Sequence, residues 1–336
     1  MVHDTALLDR PDALKDYLVG HHIIGQAETI SVTPLEGGVS NKIVKVATPE
    51  RTVVIKQAQP KLKVQVDWFA NVDRALIEAK FMQVLQNLLP AGVVPRIYAV
   101  DPEQYLFVME CAPEDSVLWK ADLMRGTVDL DVCRRVGEIL GTMHGKASLT
   151  EGLAHEFWDN HILYDLRINP LFRYLAEIHP ELSKQIDDQI KSLEHVRICL
   201  VMGDYTAKNI MLSSDRLILL DYEIVHWGNP ALDSGMMIAH LMLKAFCAPQ
   251  WATRYISGIR AMWESYLTSV KRFDPMLLEF LTARMMPFLM LARLDSKSPV
   301  EYLQGPSKDR AREFAIRFIK HPSSTLEPIL AALSAR

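Results

Sequence analysis

The sequence predicts an α+β chain of two lobes: an N-terminal five-stranded antiparallel sheet with one main helix, then a mainly helical lobe carrying a short β-hairpin. Three observations predict it. Short β-branched or alternating runs bounded by turn residues fill the first third, apolar residues at helical spacing dominate after Pro113, and short apolar runs between Ile198 and Leu220 interrupt that helical pattern. At 336 residues there is room for two or three compact units, and 49% hydrophobic with 23% charged residues excludes a disordered chain.

In order, Ile30 to Glu36 runs into Gly37-Gly38, Asn41 to Ala47 alternates around Lys42 and Lys45, and Thr52 to Lys56 is β-branched and apolar after the turn Pro49-Glu50. This is an antiparallel meander. Ile77, Phe81, Leu85 and Leu88 define a helical face over Asp73 to Leu89, which Pro90 ends. Strands Arg96 to Val100 and Tyr105 to Glu110 complete the first lobe, joined by Asp101-Pro102-Glu103. The division falls at residue 112, giving lobes 1–112 and 113–336. Beyond it, Val132, Val136, Leu140 and Met143 mark one helical stripe, and amphipathic segments cover Pro170 to Leu193, Pro230 to Phe246, Trp251 to Val270, Pro275 to Leu294 and Ser307 to Ile319. Among them lie a strand, Ile198 to Met202, and a hairpin of Ile210 to Leu212 with Leu217 to Leu220 around Ser213-Ser214-Asp215.

Charge and cysteine usage narrow the function classes. With 37 basic and 41 acidic residues, a net charge of −4 gives no footprint for nucleic acid or an anionic membrane, so neither partner is expected. The four cysteines lie tens of residues apart with no C-x-x-C pair, which argues against zinc or disulfides and for a reducing compartment. Met1 to Gly20 lacks a signal-peptide core, and the most apolar later stretches, Met236 to Ala248 and Met285 to Ala292, fall short of the roughly 18 residues needed to cross a bilayer. A cytoplasmic location is expected.

The strongest chemical signal is Gly203-Asp204-Tyr205-Thr206-Ala207-Lys208-Asn209, followed by Asp221 after the hairpin. Asn209 precedes one strand of the hairpin and Asp221 follows the other, so their side-chain oxygens can meet, with Asp204 nearby on the preceding loop. Two hard oxygen ligands and a separate carboxylate are what phosphoryl transfer with Mg²⁺ requires. A polar loop beside an ordinary hairpin would read the same way. Upstream, Lys56 closes Val53-Val54-Ile55, as a phosphate-binding cation or a solvated edge charge. Glu78 shares a helix face with Met82, Leu85 and Leu89, an awkward place for an unpaired carboxylate, and pairing with Lys56 would resolve it. Gly37 and Gly38 allow backbone amides to approach phosphates, though Gly-Gly turns also simply close hairpins.

The order of these pieces resembles the protein-kinase-like fold, and specifically the aminoglycoside phosphotransferase and choline kinase-like superfamily of small-molecule kinases, over about residues 30 to 300. Leu35 to Asn41 resembles its nucleotide loop, which includes Ser40. Gly203 to Asn209 resembles its catalytic loop, and Leu220 to Glu223 with Gly228 to Asp233 its metal-binding segment. The resemblance implies ATP and Mg²⁺, with Asp204 as catalytic base, Asn209 and Asp221 as metal ligands, Lys56 on the phosphates and Glu78 as its ion-pair partner. Adenine would rest against Met109 and bond backbone groups of Glu110 and Ala112. Met202 stands where the family pattern has a loop-holding His.

The implied reaction phosphorylates a hydroxyl of a small metabolite, of methylthioribose, choline or amino-alcohol type. An antibiotic-resistance aminoglycoside kinase and a nucleotide-binding pseudokinase are the alternatives, and both monomer and homodimer stay open. A protein kinase fits less well, because Tyr222-Glu223 rather than Phe-Gly follows Asp221. From Pro113 to Arg336 there are 28 acidic and 26 basic residues, which speaks mildly against a polycationic substrate. Glu223 is a candidate substrate contact. So are His240 and Lys244, four apart on one helix face, as contacts to a polar or anionic substrate or as a core His and a snorkelling Lys. Arg167 and Arg293 lie in stretches that resemble other members of the superfamily, and Arg293 is expected to pair with Asp295. His144 reads as a capping or core histidine.

Overall fold

The computed structural model describes residues 6–35, 40–62 and 68–334. Gly37 and Gly38 of the expected nucleotide loop lie outside the described residues. Two compact units emerge, Met1–Ser116 with Ser213–Glu223, and Val117–Leu212 with Ile224–Arg336. The sequence boundary at 112 therefore sits four residues later, and one internal segment belongs with the N-terminal unit.

The first unit is built on an antiparallel sheet of β1 (Ser31–Pro34), β2 (Asn41–Ala47), β3 (Thr52–Ala58), β4 (Ile97–Asp101) and β5 (Leu106–Glu110), in the order β1-β2-β3-β5-β4. Five strands and their antiparallel pairing agree with the sequence pattern. β3 lies between β2 and β5 and is buried from Val53 onward, so both of its faces are covered. On one face Val53, Ile55, Val44, Val46, Leu106 and Val108 join Leu14 and Leu18 of helix α1 (Pro11–Gly20) in one core cluster. The sequence reading did not identify α1; its signals are Pro11 at the first helical position and the i, i+4 pair Leu14 and Leu18. Each of those leucines, fully enclosed, contributes roughly 2–3 kcal/mol. The other face is covered by helix α2 (Arg74–Leu88), which buries Ala75, Glu78, Ala79, Met82 and Leu85. Because strand side chains alternate, Val54 and Lys56 point to the face opposite Val53 and Ile55, toward α2.

In the second unit, the Leu130–Ala147 helix lies against the Ala252–Val270 helix with backbones touching. A Cβ at Gly137 would stand 2.0 Å from the Met262 carbonyl oxygen, at Gly141 2.5 Å from that of Tyr266 and at Gly145 2.7 Å from that of Val270. Only glycine every fourth residue permits this approach. The Ala231–Cys247 helix is buried from Ala231 to Phe246 and is the centre of the unit, with the Pro275–Asp295 and Gly305–Lys320 helices packed on it. The Pro275–Asp295 helix, which extends well beyond the stretch Met285 to Ala292 expected to be too short, is long and apolar enough, by length and composition only, to cross a membrane. Arg284 and Pro287 lie inside this helix without ending it. Two-thirds of its most apolar window is buried inside the protein, which accounts for its composition.

The single helix expected over Pro170 to Leu193 is instead four pieces: a π-helical stretch Tyr164–Arg173, a short helix Tyr174–Ile178, a 3₁₀ turn Pro180–Leu182 and the helix Ser183–His195. Pro170 has no N–H to give to an α-helical ladder, and the wider π turn accommodates it; Pro180 then ends the path. Cys199–Val201 pairs antiparallel with His226–Gly228, a strand without a clear sequence signal, and Val117–Leu118 pairs with Ile210–Leu212.

Candidate active site

In the first unit, alternation along β3 brings the Lys56 ammonium to α2, where Nζ lies 2.8 Å from Glu78 Oε1 and 2.7 Å from Asp221 Oδ1. Glu78 Oε1 also accepts the Tyr222 N–H at 3.0 Å, while its Oε2 is buried with no partner. Lys56 and Glu78 are almost completely enclosed; Asp221 is 29% exposed and is the open member of the set. Asp221 also has a left-handed backbone, φ 65°, a strained conformation that Asp tolerates better than most residues and that recurs at functional positions. Burial disfavours the Lys56 ammonium, yet the charges of Asp221, Glu78 and Glu223 outweigh it and hold the proton more tightly than in an ordinary lysine. For Glu78, burial is the larger influence and raises the carboxyl against the pull of Lys56.

A second cluster anchors the edge of the expected nucleotide loop. Glu223 accepts from Ser40 Oγ at 2.8 and 2.6 Å on its two oxygens, from Asn41 Nδ2 at 2.9 Å and from Arg74 Nε at 3.3 Å. Arg74, entirely buried on α2, also donates to the carbonyls of Ser40, Gln59, Ala70 and Asn71. The structure thus corrects Glu223 from a substrate contact to a buried anchor, and it turns the Ser40 and Asn41 side chains toward that anchor. Three carboxylates face two cations across these clusters, an excess negative charge that suits a divalent cation near Asp221. Met109 is half-buried on β5. The Glu110 N–H is taken by the Arg96 carbonyl at 2.8 Å and its carboxylate by Arg216 at 3.1 Å; Ala112 is half-buried beyond it.

In the second unit, Asp204 sits on the loop after the Cys199–Val201 strand, 8% exposed. Arg167 Nη2 reaches its Oδ1 at 2.9 Å; Lys208 Nζ at 2.8 Å and Asn209 Nδ2 at 3.0 Å reach its Oδ2. Burial alone would raise this carboxyl, but Lys208, Arg167 and Arg293 hold it well below the usual carboxylate range. Asn209 spends its amide protons on Asp204, 2.9 Å to the backbone carbonyl as well, which leaves Oδ1 as its ligating atom. Among the described residues no three His, Cys, Asp or Glu side chains are grouped to hold a metal. Taken unit by unit, Asn209 Oδ1 in the second and the Asp221 carboxylate in the first are each hard oxygen donors of the kind Mg²⁺ takes.

Two positioning residues were named by the sequence without these roles. Arg167, on the π turn, donates to the Gly203 carbonyl at 2.9 Å as well as to Asp204. Asp233, fully buried at the start of the Ala231–Cys247 helix, accepts the Met202 and Gly203 N–H groups at 2.8 and 2.7 Å and faces His144 Nε2 at 3.2 Å. The loop is therefore held through its backbone, and Met202 only fills volume. His144, between Asp233 and Tyr266, is a core histidine. Gly203 takes φ 80°, and a Cβ there would stand 2.7 Å from Ile224 Cγ2, so the loop needs glycine. The expected Arg293–Asp295 pair does not form. Asp295 binds Arg312 at 2.7 and 2.8 Å and His179 at 2.9 Å, because Arg293 and Asp295, two apart on a helix, face different ways. His240 and Lys244 are both buried, within electrostatic reach of Arg293.

The model of the phosphotransferase enzyme family (APH) matches residues 31–266. Methylthioribose kinase of Escherichia coli is 26% identical over 257 residues, 68% of this chain and 61% of that protein. That of Bacillus cereus is 25% identical over 234 residues, 61% of this chain and 58% of the relative. The chain thus spans about three-fifths of the length of the curated relatives it matches. In fold it is similar to choline kinase from Cryptosporidium parvum, with TM-score 0.57 and 14% identity over 96% of this chain and all of the other. An amicoumacin kinase in complex with AMP-PNP, Ca²⁺ and Ami gives TM-score 0.58 and 14% identity over 88% and 89% of the two chains.

Proposed function

The chain belongs to the phosphotransferase enzyme family, and from that premise we propose that it is an ATP-dependent small-molecule kinase acting on a hydroxyl group. The observation that carries this reading is Lys56, buried and held by both Glu78 and Asp221, a cation fixed for phosphate oxygens beside an open carboxylate. Lys56 binds the nucleotide phosphates, and Asn209 and Asp221 are the residues that would hold Mg²⁺. That ion, when bound, neutralises charge on the transferred phosphoryl group.

Asp204 orients the acceptor. Its low proton affinity makes it a weak base, so it hydrogen-bonds the hydroxyl in the ground state and takes the proton only as the new P–O bond forms and the bond to the leaving ADP oxygen breaks. Arg167 and Asp233 fix the loop from which it acts. The acceptor class supported by the relatives is a small polyol of the methylthioribose kind. An aminoglycoside is disfavoured, since Arg167, Lys208 and Arg293 surround the acceptor-orienting carboxylate and would repel a polycation. The four free cysteines support work in the cytoplasm.

The test is phosphate transfer from Mg²⁺-ATP to a panel of small hydroxyl compounds by wild type, Asp204→Ala and Asp221→Ala. Transfer to at least one acceptor that both substitutions abolish is expected. Transfer to none, with nucleotide binding intact, would make the protein a nucleotide-binding module instead.

A further inference from the structure

Beyond Asp204 the second unit holds a group of cations without acids. Lys244 is 2% exposed, yet its ammonium makes one hydrogen bond, 3.4 Å to the His240 carbonyl one turn earlier in its own helix, and otherwise lies over the Tyr302 ring at 5.3 Å from the centroid. No carboxylate pairs with it among the described residues. Arg293, on the neighbouring Pro275–Asp295 helix, gives one long bond of 3.4 Å to Ser298 Oγ, and its Nε is buried with no partner. The Tyr302 hydroxyl is likewise buried and unpartnered. His240, 6% exposed, is within electrostatic reach of Lys244 and Arg293 and also of Asp204 and Lys208.

A buried ammonium with most of its hydrogen-bonding capacity unspent is costly, as are unpaired buried donors. Three such groups gathered from two helices and the segment after them are donors that lack an acceptor. Arg312 shows the contrast: the same unit gives its guanidinium two carboxylates, Asp295 and Asp309. We propose that Lys244, Arg293 and Tyr302 form an anion-binding subsite for the acceptor, so that the substrate is a small hydroxyl compound bearing a carboxylate or phosphate group. This rests on the kinase reading and narrows it from a neutral polyol to a hydroxy acid or a sugar phosphate.

The experiment has a binding arm without nucleotide and a turnover arm. In the first, wild type, Lys244→Met, Arg293→Met and the conservative Tyr302→Phe are titrated by calorimetry with a neutral pentose, the matching aldonic acid and the matching pentose phosphate. The two anionic probes distinguish a carboxylate from a phosphate preference. Anionic probes are expected to bind wild type at least roughly tenfold more tightly than the neutral one, and the Met variants to lose that preference. In the second, the ratio of KM for neutral to KM for anionic acceptors should collapse toward one in the same variants. Equal binding of neutral and anionic probes by wild type, or a preference unchanged in the Met variants, overturns the subsite while Asp204-dependent transfer to neutral acceptors leaves the kinase reading standing. No Asp204-dependent transfer to any acceptor overturns the kinase reading, and with it the claim that the anion is an acceptor.

Discussion

Replacing Lys244 with Met should stabilise the protein, because it removes a buried charge that the fold does not compensate. Burial and the neighbouring cations Lys120 and Arg293 lower the Lys244 pKa to about 7, with Cys247 the one group that opposes them; His240 and the Tyr302 ring also face it. Moving an ammonium from 10.5 to about 7 corresponds to about 5 kcal/mol at roughly 1.4 kcal/mol per tenfold change in proton affinity. Relaxation and the ring contact reduce this, so a gain of about 2–4 kcal/mol near pH 7 is expected. The sign with pH follows from proton binding. Below pH 7 folded and unfolded chains both hold the proton and the whole penalty applies. Between 7 and 10.5 the unfolded chain still binds a proton that the folded chain has released, so wild-type stability rises with pH relative to the variant, and above 10.5 the penalty is gone. Urea unfolding followed by tryptophan fluorescence from about pH 6 to about pH 9 reads this directly, since five of the six tryptophans belong to the second unit. A variant no more stable than wild type at pH 6, or a gap that does not narrow as pH rises, refutes the reasoning.

Glu223→Ala should unfold the first unit more easily by roughly 3–5 kcal/mol, since it leaves the fully enclosed Arg74 without its carboxylate; Glu223→Gln, which keeps one acceptor oxygen for this cluster, should cost less, and urea midpoints of the two variants check the order. Asp233→Asn weakens the hold on the Met202 and Gly203 N–H groups and should lower kcat while leaving the KM for ATP near that of wild type, with a stability loss of about 1–3 kcal/mol. A rise in the KM for ATP that matches the fall in kcat would show that Asp233 does not act through the loop.

Much of the first unit was legible in the chain. β-branched runs between turn residues marked all five strands, and the apolar face of α2 predicted both the helix and the awkward position of Glu78, which strand alternation at Lys56 resolves. α1 escaped because ten residues with two buried leucines give little periodic signal. In the second unit, Pro170 and Pro180 were visible but their effect was not, since a proline in a helical pattern can end a helix, kink it or be absorbed in a π turn. That choice decides where Arg167 lies, and hence whether it touches Asp204. Glu223 was misassigned for a related reason: its neighbours in sequence suggested chemistry, while its partners Ser40, Asn41 and Arg74 are more than 140 residues away.

The sequence by itself determined the two-part α+β plan, the strand carrying Lys56, the helix carrying Glu78 and the loop from Gly203 to Asn209, because periodicity and turn chemistry are local properties of the chain. It did not determine which charges would be satisfied. Arg293 finds Ser298 rather than Asp295, Arg312 takes Asp295, and Lys244 is left with a backbone carbonyl and an aromatic ring. Those outcomes depend on which helix faces meet, and only tertiary packing, which fixes distances between residues remote in sequence, decides where an uncompensated charge remains for a ligand to meet.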